Sequence, residues 1–494
     1  MILFRTHVKI ASLLLGACLT FSTTSCNDWL DVIPQAQVSG DKIFSTTDGY
    51  ESVLYGIYIS MTEANTYGCN LTFGLMDVLA QYYTTYTNKS HLLYEASLYN
   101  YENGNVRDVI DNIWLGNYNT IANCNILLEK LAERQPEEFT DNHYALIKGE
   151  ALALRAYLHF DLLRGFALNY KEYPDAMGIP YAESFKQRIH PQLKTKEILG
   201  KILADLETAR GLLKDIDPVF YDNFKDPIYH FVQPQDNNDT FASYRAYRMN
   251  YFAVTALMAR IYYYMGNNEL ALQYAKEVIA AADEGRFTFT KESDFTVELS
   301  KRDVVMQNEL IFALEGLDVK SNFYGYDASS QNSLILLNPN ELYPDADDFR
   351  KNLIGESSNN GKIISYKYAK LGSSTSNSGI IPMIRLTEMY FIAADCSYES
   401  NKDEAVEYLK KVRKMRGASQ TVKTDSYEAF VKDLTTEAKR EFLGEGQMFY
   451  WYKSHNLAIP RNGQDLQLTQ QQRCLPMSAN EVEFGNRIED YLKY

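Results

Sequence analysis

The chain has 494 residues, with 49 Lys+Arg against 64 Asp+Glu, for a formal net charge of −15. Phosphate binding draws on clustered Lys and Arg, so this balance argues against a nucleic-acid partner and against docking on anionic lipid by charge alone. Aromatics make up 13% and are skewed to 38 Tyr against 24 Phe and 3 Trp. A tyrosine offers a flat apolar face and a hydroxyl that both donates and accepts, a surface suited to neutral polyols. Most of the tyrosines are expected to fill half-wet helix packing instead.

Residues 1–25 read as an address. Arg5 and Lys9 form a short basic start, and Ile10 to Phe21 is an apolar run. That run is too short for a bilayer core, which needs about 20 apolar residues, and it fits a secretory signal. Ser25-Cys26 follows small polar residues, as in the lipobox of bacterial lipoproteins, whose cysteine becomes the acylated first residue. Cys18 is the competing position, but cleavage there truncates the apolar run. Cys26 is therefore the expected lipidation site, and the acidic tract Asn27-Asp28-Trp29-Leu30-Asp31 after it resembles the tract that sends some lipoproteins to the cell surface. Losing residues 1–25 removes two positive charges and no acidic residue, taking the net charge from −15 to −17. No later segment is apolar enough to cross a membrane, so lipid is the expected membrane tie. Cys69, Cys124, Cys396 and Cys474 show no CxxC spacing, which indicates neither a zinc site nor a redox pair and leaves a disulfide open.

Beyond residue 105 the signal is paired amphipathic helices. In Tyr251 to Ala281, small and aromatic residues fall at Ala259, Tyr262, Gly266, Ala271 and Ala275; in Arg385 to Gly417, at Ala393, Cys396, Ser400, Ala405 and Leu409. Both sets have the intervals 3, 4, 5 and 4, with a turn at Gly266-Asn267-Asn268 or Ser400-Asn401-Lys402. This is the tetratricopeptide pattern of a helical hairpin. Further helices are predicted over Val106 to Arg134, Asp141 to Phe166, Lys196 to Leu213 and Tyr427 to Trp451, with Trp114, Tyr157 and Tyr262 to Tyr264 in their cores.

The stretches Leu71 to Tyr101, Pro218 to Tyr244, Phe287 to Gly361 and Leu371 to Gly379 are rich in Asn, Asp, Ser, Gly and aromatics. They read as loops with short strands, among them Leu310 to Leu314 and Lys362 to Ala369. So much irregular chain on a helical scaffold points to a binding surface. The fold class is thus mostly α: tetratricopeptide-like hairpins carrying an irregular, loop-rich ligand-binding face with few short strands.

Several motifs, in order, resemble the SusD/RagB family of bacterial nutrient-uptake lipoproteins. They are Cys26-Asn27-Asp28-Trp29-Leu30-Asp31-Val32-x-Pro34; Glu150-Ala151-x-Ala153-Leu154-Arg155-Ala156-Tyr157; Arg385-Leu386-x-Glu388-Met389-Tyr390; Val412-Arg413-x-x-Arg416-Gly417; and Glu437-x-x-Arg440-Glu441-Phe442-x-x-Glu445-Gly446-Gln447. Asp395 stands where Glu is more usual, and Trp451-Tyr452-Lys453 departs from the commoner ending. The resemblance implies a signal peptide over 1–25 and a single domain over 26–494, with halves at about 26–215 and 245–494. It also implies an outer-membrane location facing the exterior and a partner, a SusC-like TonB-dependent transporter over which the lipoprotein sits as a lid. No catalytic residue, metal or cofactor is expected. Glu150, Glu388 and Glu441 lie beside Arg155, Arg385 and Arg440 and read as structural ion pairs. The chain has no HExxH, Gly-x-Ser-x-Gly or phosphate loop. Asp345-Ala346-Asp347-Asp348 lacks calcium-loop spacing and reads as a solvated turn.

Seven tyrosines crowd into Tyr67 to Tyr101: Tyr67, Tyr82, Tyr83, Tyr86, Tyr94, Tyr99 and Tyr101. Around Tyr82 to Asn88 their neighbours are Thr, Asn and Gln rather than aliphatics, so Tyr82, Tyr83, Tyr86 and Tyr94 are the candidate ligand contacts. Tyr324 and Tyr326 form a second candidate, displayed at a turn by Gly325. Sugar rings would lay C–H faces on these rings while amides and carboxylates bind hydroxyls. The expected function is glycan binding for delivery to the transporter. An oligopeptide ligand is the alternative within the family, and a secreted glycoside hydrolase the alternative outside it; the latter needs two carboxylates about 5–10 Å apart, for which Asp77 and Glu95 flank the cluster.

Overall fold

The computed structural model describes residues 42–185, 189–232, 239–329, 331–369 and 379–493. Cys26, Cys18, the signal segment and 371–378 lie outside the described residues. The chain falls into two units, 1–50 and 51–494. Among the described residues, ten helices carry the scaffold: α1 (Thr47–Met61), α2 (Gly104–Ala132), α3 (His143–Phe166), α4 (Thr195–Leu213), α5 (Tyr251–Met265), α6 (Asn268–Asp283), α7 (Leu386–Ser397), α8 (Lys402–Met415), α9 (Tyr427–Glu441) and α10 (Met448–Ser454). From α2 to α8 each helix packs on its chain neighbour, the arrangement of a helical-repeat solenoid.

The hairpin turns follow from their residues. Gly266 closes α5 in the left-handed region at φ 76°, and Asn267 caps α6 by accepting from the Leu270 N–H at 3.1 Å. Asn401 caps α8 on the Glu404 N–H. Ala259, Ala271, Ala275, Ala393 and Ala405 are fully buried where the helices meet. α3 is buried on nearly every face, as a central element must be.

Among the described residues, eight short strands pair into four antiparallel ribbons. In the central one, β3 (Leu310–Glu315) and β6 (Ile380–Arg385) pair Leu314 with Ile381. Both strands are buried along almost their whole length, which is why they read as continuous apolar runs. The others are β1 (Met177–Pro180) with β2 (Gln192–Lys194), β4 (Ile354–Glu356) with β5 (Ile363–Ser365), and β7 (Ile459–Arg461) with β8 (Gln464–Leu466).

Three local expectations change. Leu71 to Tyr101 forms short helical turns at Leu75–Leu79, Thr84–Thr87 and Tyr94–Ser97 rather than strands. Gly325 lies inside a helix, Val319–Asp327, because Val319 and Phe323, one turn apart, bury its inner side. The single helix expected over Tyr427 to Trp451 is broken between α9 and α10, where Gly444 and Gly446 take φ of 81° and 69°. Asp77 fixes that break by accepting from the Gly444 and Gly446 N–H groups at 2.7 and 3.1 Å.

The motif carboxylates are structural, but their partners are distant in sequence. Glu150 accepts from Arg245 and Arg248 at 2.8 and 2.6 Å, while Arg155 turns to Asp205. Glu388 pairs with Arg260. Glu441 sits in a buried lattice with Arg350, Arg385 and Arg416, joined by Glu309, Glu437 and Glu445. Cys69, Cys124, Cys396 and Cys474 are buried free thiols. Asp348 turns inward on Arg350, while Asp345 accepts from the exposed Ser419, so the aspartate run is a solvated turn apart from Asp348. No group of metal-ligating side chains occurs among the described residues.

Candidate functional site

A cleft of about 840 Å³ opens beside α9. Its floor and one side come from the helix: Glu428, Lys432, Thr435, Thr436 and Lys439 fall at intervals of 4, 3, 1 and 3, which places them on one face. The end of α10 and the following turn add Tyr452, His455 and Asn456. The β7–β8 hairpin adds Pro460, Asn462 and Asp465, and the stretch after α3 adds Asn169, Lys171 and Glu172. Leu337, Asn338 and Glu341 close the far side with Tyr82. The hairpin is made by Asn462-Gly463, both at positive φ (49° and 76°), the residues a two-residue turn requires. That Asn-Gly pair was the available sequence signal for this part of the site, and pattern reading passed over it.

The opposite face of α9 is tied into the buried lattice through Glu437, Arg440 and Glu441. One helix therefore anchors the core and displays the cleft. Tyr82 lies under it: its hydroxyl donates to the Lys439 carbonyl at 2.6 Å, and the Lys439 ammonium lies 5.5 Å from its ring. Burial pulls the Lys439 amine down to about 8, against the opposing effect of Asp77 and Glu341. At the other end, Tyr427 donates to Asp395 at 2.9 Å, and Tyr263 bridges Asp395 and His455. Burial pushes the Asp395 carboxyl up, but the bonds from His455, Tyr263 and Tyr427 outweigh it and hold the group below its ordinary value. The His455 ring stacks on Trp451 at 4.6 Å. These contacts fix the shape of the cleft before any ligand arrives.

The two tyrosine segments singled out in the sequence meet. Thr84 N–H donates to Ile335 O at 2.9 Å, Leu337 N–H to Tyr82 O at 2.8 Å, and the Asn88 side-chain amide to Gln331 O at 2.7 Å. Tyr324 is exposed on its helix, Tyr326 stacks on His91 at 6.3 Å and 16°, and Tyr94 is half-buried. Tyr86 lies under the Arg461 guanidinium at 4.7 Å, beside the β7–β8 hairpin. Tyr82 and Leu337 belong both to this paired segment and to the cleft.

Other members of the cluster are spent inside the protein. Tyr83 is 2% exposed, with its hydroxyl 3.5 Å from Asp77, and offers no face to a ligand. Tyr67, Tyr99 and Tyr101 donate to Asp161, Leu79 O and Gln472 O. Asp77 is fully buried, and burial pushes its carboxyl up to about 8, so it does not form a cleft carboxylate pair with Glu95, which accepts from Asn100.

The structure is thus a helical-hairpin scaffold bearing an aromatic, amide-rich cleft on irregular chain. Two family models match the chain: "Starch-binding associating with outer membrane" over residues 28–225, and "SusD family" over 231–453. The chain belongs to the SusD/RagB family. Among solved structures it is similar to a SusD superfamily protein from Bacteroides thetaiotaomicron, with 22% identity, a TM-score of 0.69, and coverage of 89% of this chain and 98% of that one. A SusD-like carbohydrate-binding protein from Bacteroides vulgatus gives 18% identity and a TM-score of 0.71, covering 89% and 96%. Surface glycan-binding protein A from Bacteroides fluxus gives 18% and 0.63, covering 88% and 96%. At these identities the likeness shows the fold. No curated protein sequence matches the chain. Glycan binding is a property at the level of the family.

Proposed function

We propose that the chain is a surface lipoprotein, anchored through Cys26, that captures a glycan and passes it to a SusC-like TonB-dependent transporter without a chemical step. The observation that carries this reading is the cleft. It combines the exposed ring of Tyr427 with the amide groups of Asn338 and Asn462 and hydroxyls on α9, over the buried rings of Tyr82 and Tyr452, which shape the cleft without offering a face. Rings take the C–H faces of a sugar, and the amides satisfy its hydroxyls, which a dry apolar pocket cannot do. Tyr86, Tyr94 and Tyr324 keep accessible surface outside the cleft and are the rings proposed to meet a chain too long for it, while Tyr326 is turned onto the buried His91. Membrane attachment through lipid agrees with the described residues, where no helix is long and apolar enough to cross a membrane.

The test is calorimetry and affinity electrophoresis with residues 27–494 against a polysaccharide panel. Dissociation constants from millimolar to tens of micromolar are expected, about −4 to −6 kcal/mol, weak enough for release to a pore. Tyr427→Ala, at an exposed cleft ring, should weaken retention by about fivefold. Retention of peptides instead of glycans, or release of new reducing ends by the purified protein, would refute the reading.

A further inference from the structure

The charged groups of the cleft are arranged by depth. Glu172, Glu341, Glu428 and Asp465 are all exposed at the rim, as is Lys432; Lys171 is exposed along its length, but its ammonium lies 5.2 Å from the Tyr263 ring and burial lowers its pKa. Four carboxylates against two amines make that rim acidic. Lys439 is the half-buried cation, over the Tyr82 ring. Its Nζ has no hydrogen bond or ion pair among the described residues. The rim carboxylates are partly engaged already: Glu341 accepts from Asn338 at 3.0 Å, and Glu172 from Asn169 at 3.3 Å. His455 is half-buried too, but it has no N–H to spare. Its Nδ1 faces the Trp451 carbonyl at 2.9 Å and its Nε2 the Tyr263 hydroxyl at 2.6 Å.

An ammonium withdrawn from water without a hydrogen-bonding partner is costly, and the buried Lys453 offsets that cost on the Arg164 and Ala167 carbonyls. Arg245, Arg260, Arg350, Arg385 and Arg416 are each bound by carboxylates, and Lys367 is bound by Glu445. Lys439 has neither kind of partner among the described residues, and it lines a cavity of ligand size. We propose that the cleft selects a saccharide bearing a single acidic group, a carboxylate or a sulfate, which pairs with Lys439. This rests on the glycan-binding reading of the same cleft. The acidic rim sets the complementary limit: it repels a densely charged polyanion, whose neighbouring charges would lie against Glu172, Glu341, Glu428 and Asp465. Although burial lowers the amine to about 8, it stays mostly protonated at neutral pH, as the pairing requires.

The test uses residues 27–494 on an array of neutral oligosaccharides, the same backbones with one uronic acid or one sulfate, and heparin-derived tetrasaccharides. The singly acidic glycans should be retained best, with the uronate and sulfate arms showing which acid fits. Lys439→Met should weaken them by about 10- to 100-fold and neutral analogues by no more than about threefold, and Lys439→Arg should restore part of the loss. Unchanged thermal unfolding of both variants separates this from misfolding. Lys432→Met, at the rim, should change the affinities far less. Equal retention of neutral and acidic glycans with no effect of Lys439→Met overturns the proposal and leaves glycan binding standing. Preference for the heparin fragments also overturns it. Failure to retain any glycan overturns the glycan-binding reading, and this inference falls with it.

Discussion

Replacing Glu441 by Gln tests whether the buried lattice holds α9 in place. Both Glu441 oxygens are used: Oε1 accepts from Arg350 at 2.8 Å and Arg416 at 2.7 Å, and Oε2 from Arg385 at 2.9 Å and Arg416 at 3.0 Å. A glutamine keeps the shape, but it removes the charge facing three guanidinium groups. It also turns an NH2 toward donors that it cannot satisfy. Breaking a buried pair by removing one partner costs about 3–5 kcal/mol, set against a total stability of about 5–15 kcal/mol for a folded protein. The assay is urea unfolding followed by tryptophan fluorescence, since Trp451 lies just beyond the Gly444–Gly446 break. Acid adds a second reading. Burial pushes the Glu441 carboxyl up, but Arg416, Arg385 and Arg350 outweigh this and hold it well below its ordinary value of 4.5. A carboxylate with a depressed native pKa contributes stability that is complete above its unfolded value and lost as the pH falls through the native one. The gap between the wild type and Glu441→Gln should therefore stay constant from pH 7 to about pH 5 and narrow below that. A loss under about 1 kcal/mol at pH 7, or a gap that widens in acid, would refute the assignment.

Gly446→Ala should cost about 3 kcal/mol or more by urea unfolding, because a Cβ there meets the Leu71 carbonyl oxygen at 2.0 Å at a φ of 69°. Gly463→Ala, also at positive φ but in open space, should cost only about 1 kcal/mol. It should lower glycan retention measurably, since the turn lines the cleft. Lys453 donates to the Arg164 and Ala167 carbonyls at 2.9 and 2.6 Å and so closes the end of α3. Lys453→Met should destabilise by about 1–3 kcal/mol and speed amide exchange in the last turn of α3. An unchanged exchange pattern would show that water replaces the lysine.

The helices were legible because their signals are local. An apolar face every 3.6 residues, with Asn or Gly at the turns, needs no knowledge of the rest of the chain, and α2 to α8 fall within about one turn of where the pattern puts them. The ion pairs were only half legible. Glu150, Glu388 and Glu441 read correctly as structural, yet each bypasses its sequence neighbour for an arginine on another element. A buried carboxylate is met by whichever guanidinium the packing delivers, not by the next turn of its own helix. The tyrosine cluster shows the same limit. Its polar neighbours suggested display, but a hydroxyl with polar neighbours serves internal carbonyls equally well, as Tyr99 and Tyr101 do. The cleft itself is assembled from five separate segments, none of which carries a motif beyond Asn462-Gly463.

That assembly bears on how the site works. The inner side of α9 is fixed by guanidinium pairs, and its outer side carries the row from Lys432 to Lys439. A ligand that touches only the outer row has little to gain from moving the helix, because any shift breaks buried pairs on the inner one. The cleft is therefore preformed, and discrimination among glycans has to come from which groups meet that row rather than from closure around the ligand. Tyr94 and Tyr324 stand on short helices outside that set of pairs, Tyr94–Ser97 and Val319–Asp327, so a change of shape there would leave the pairs intact.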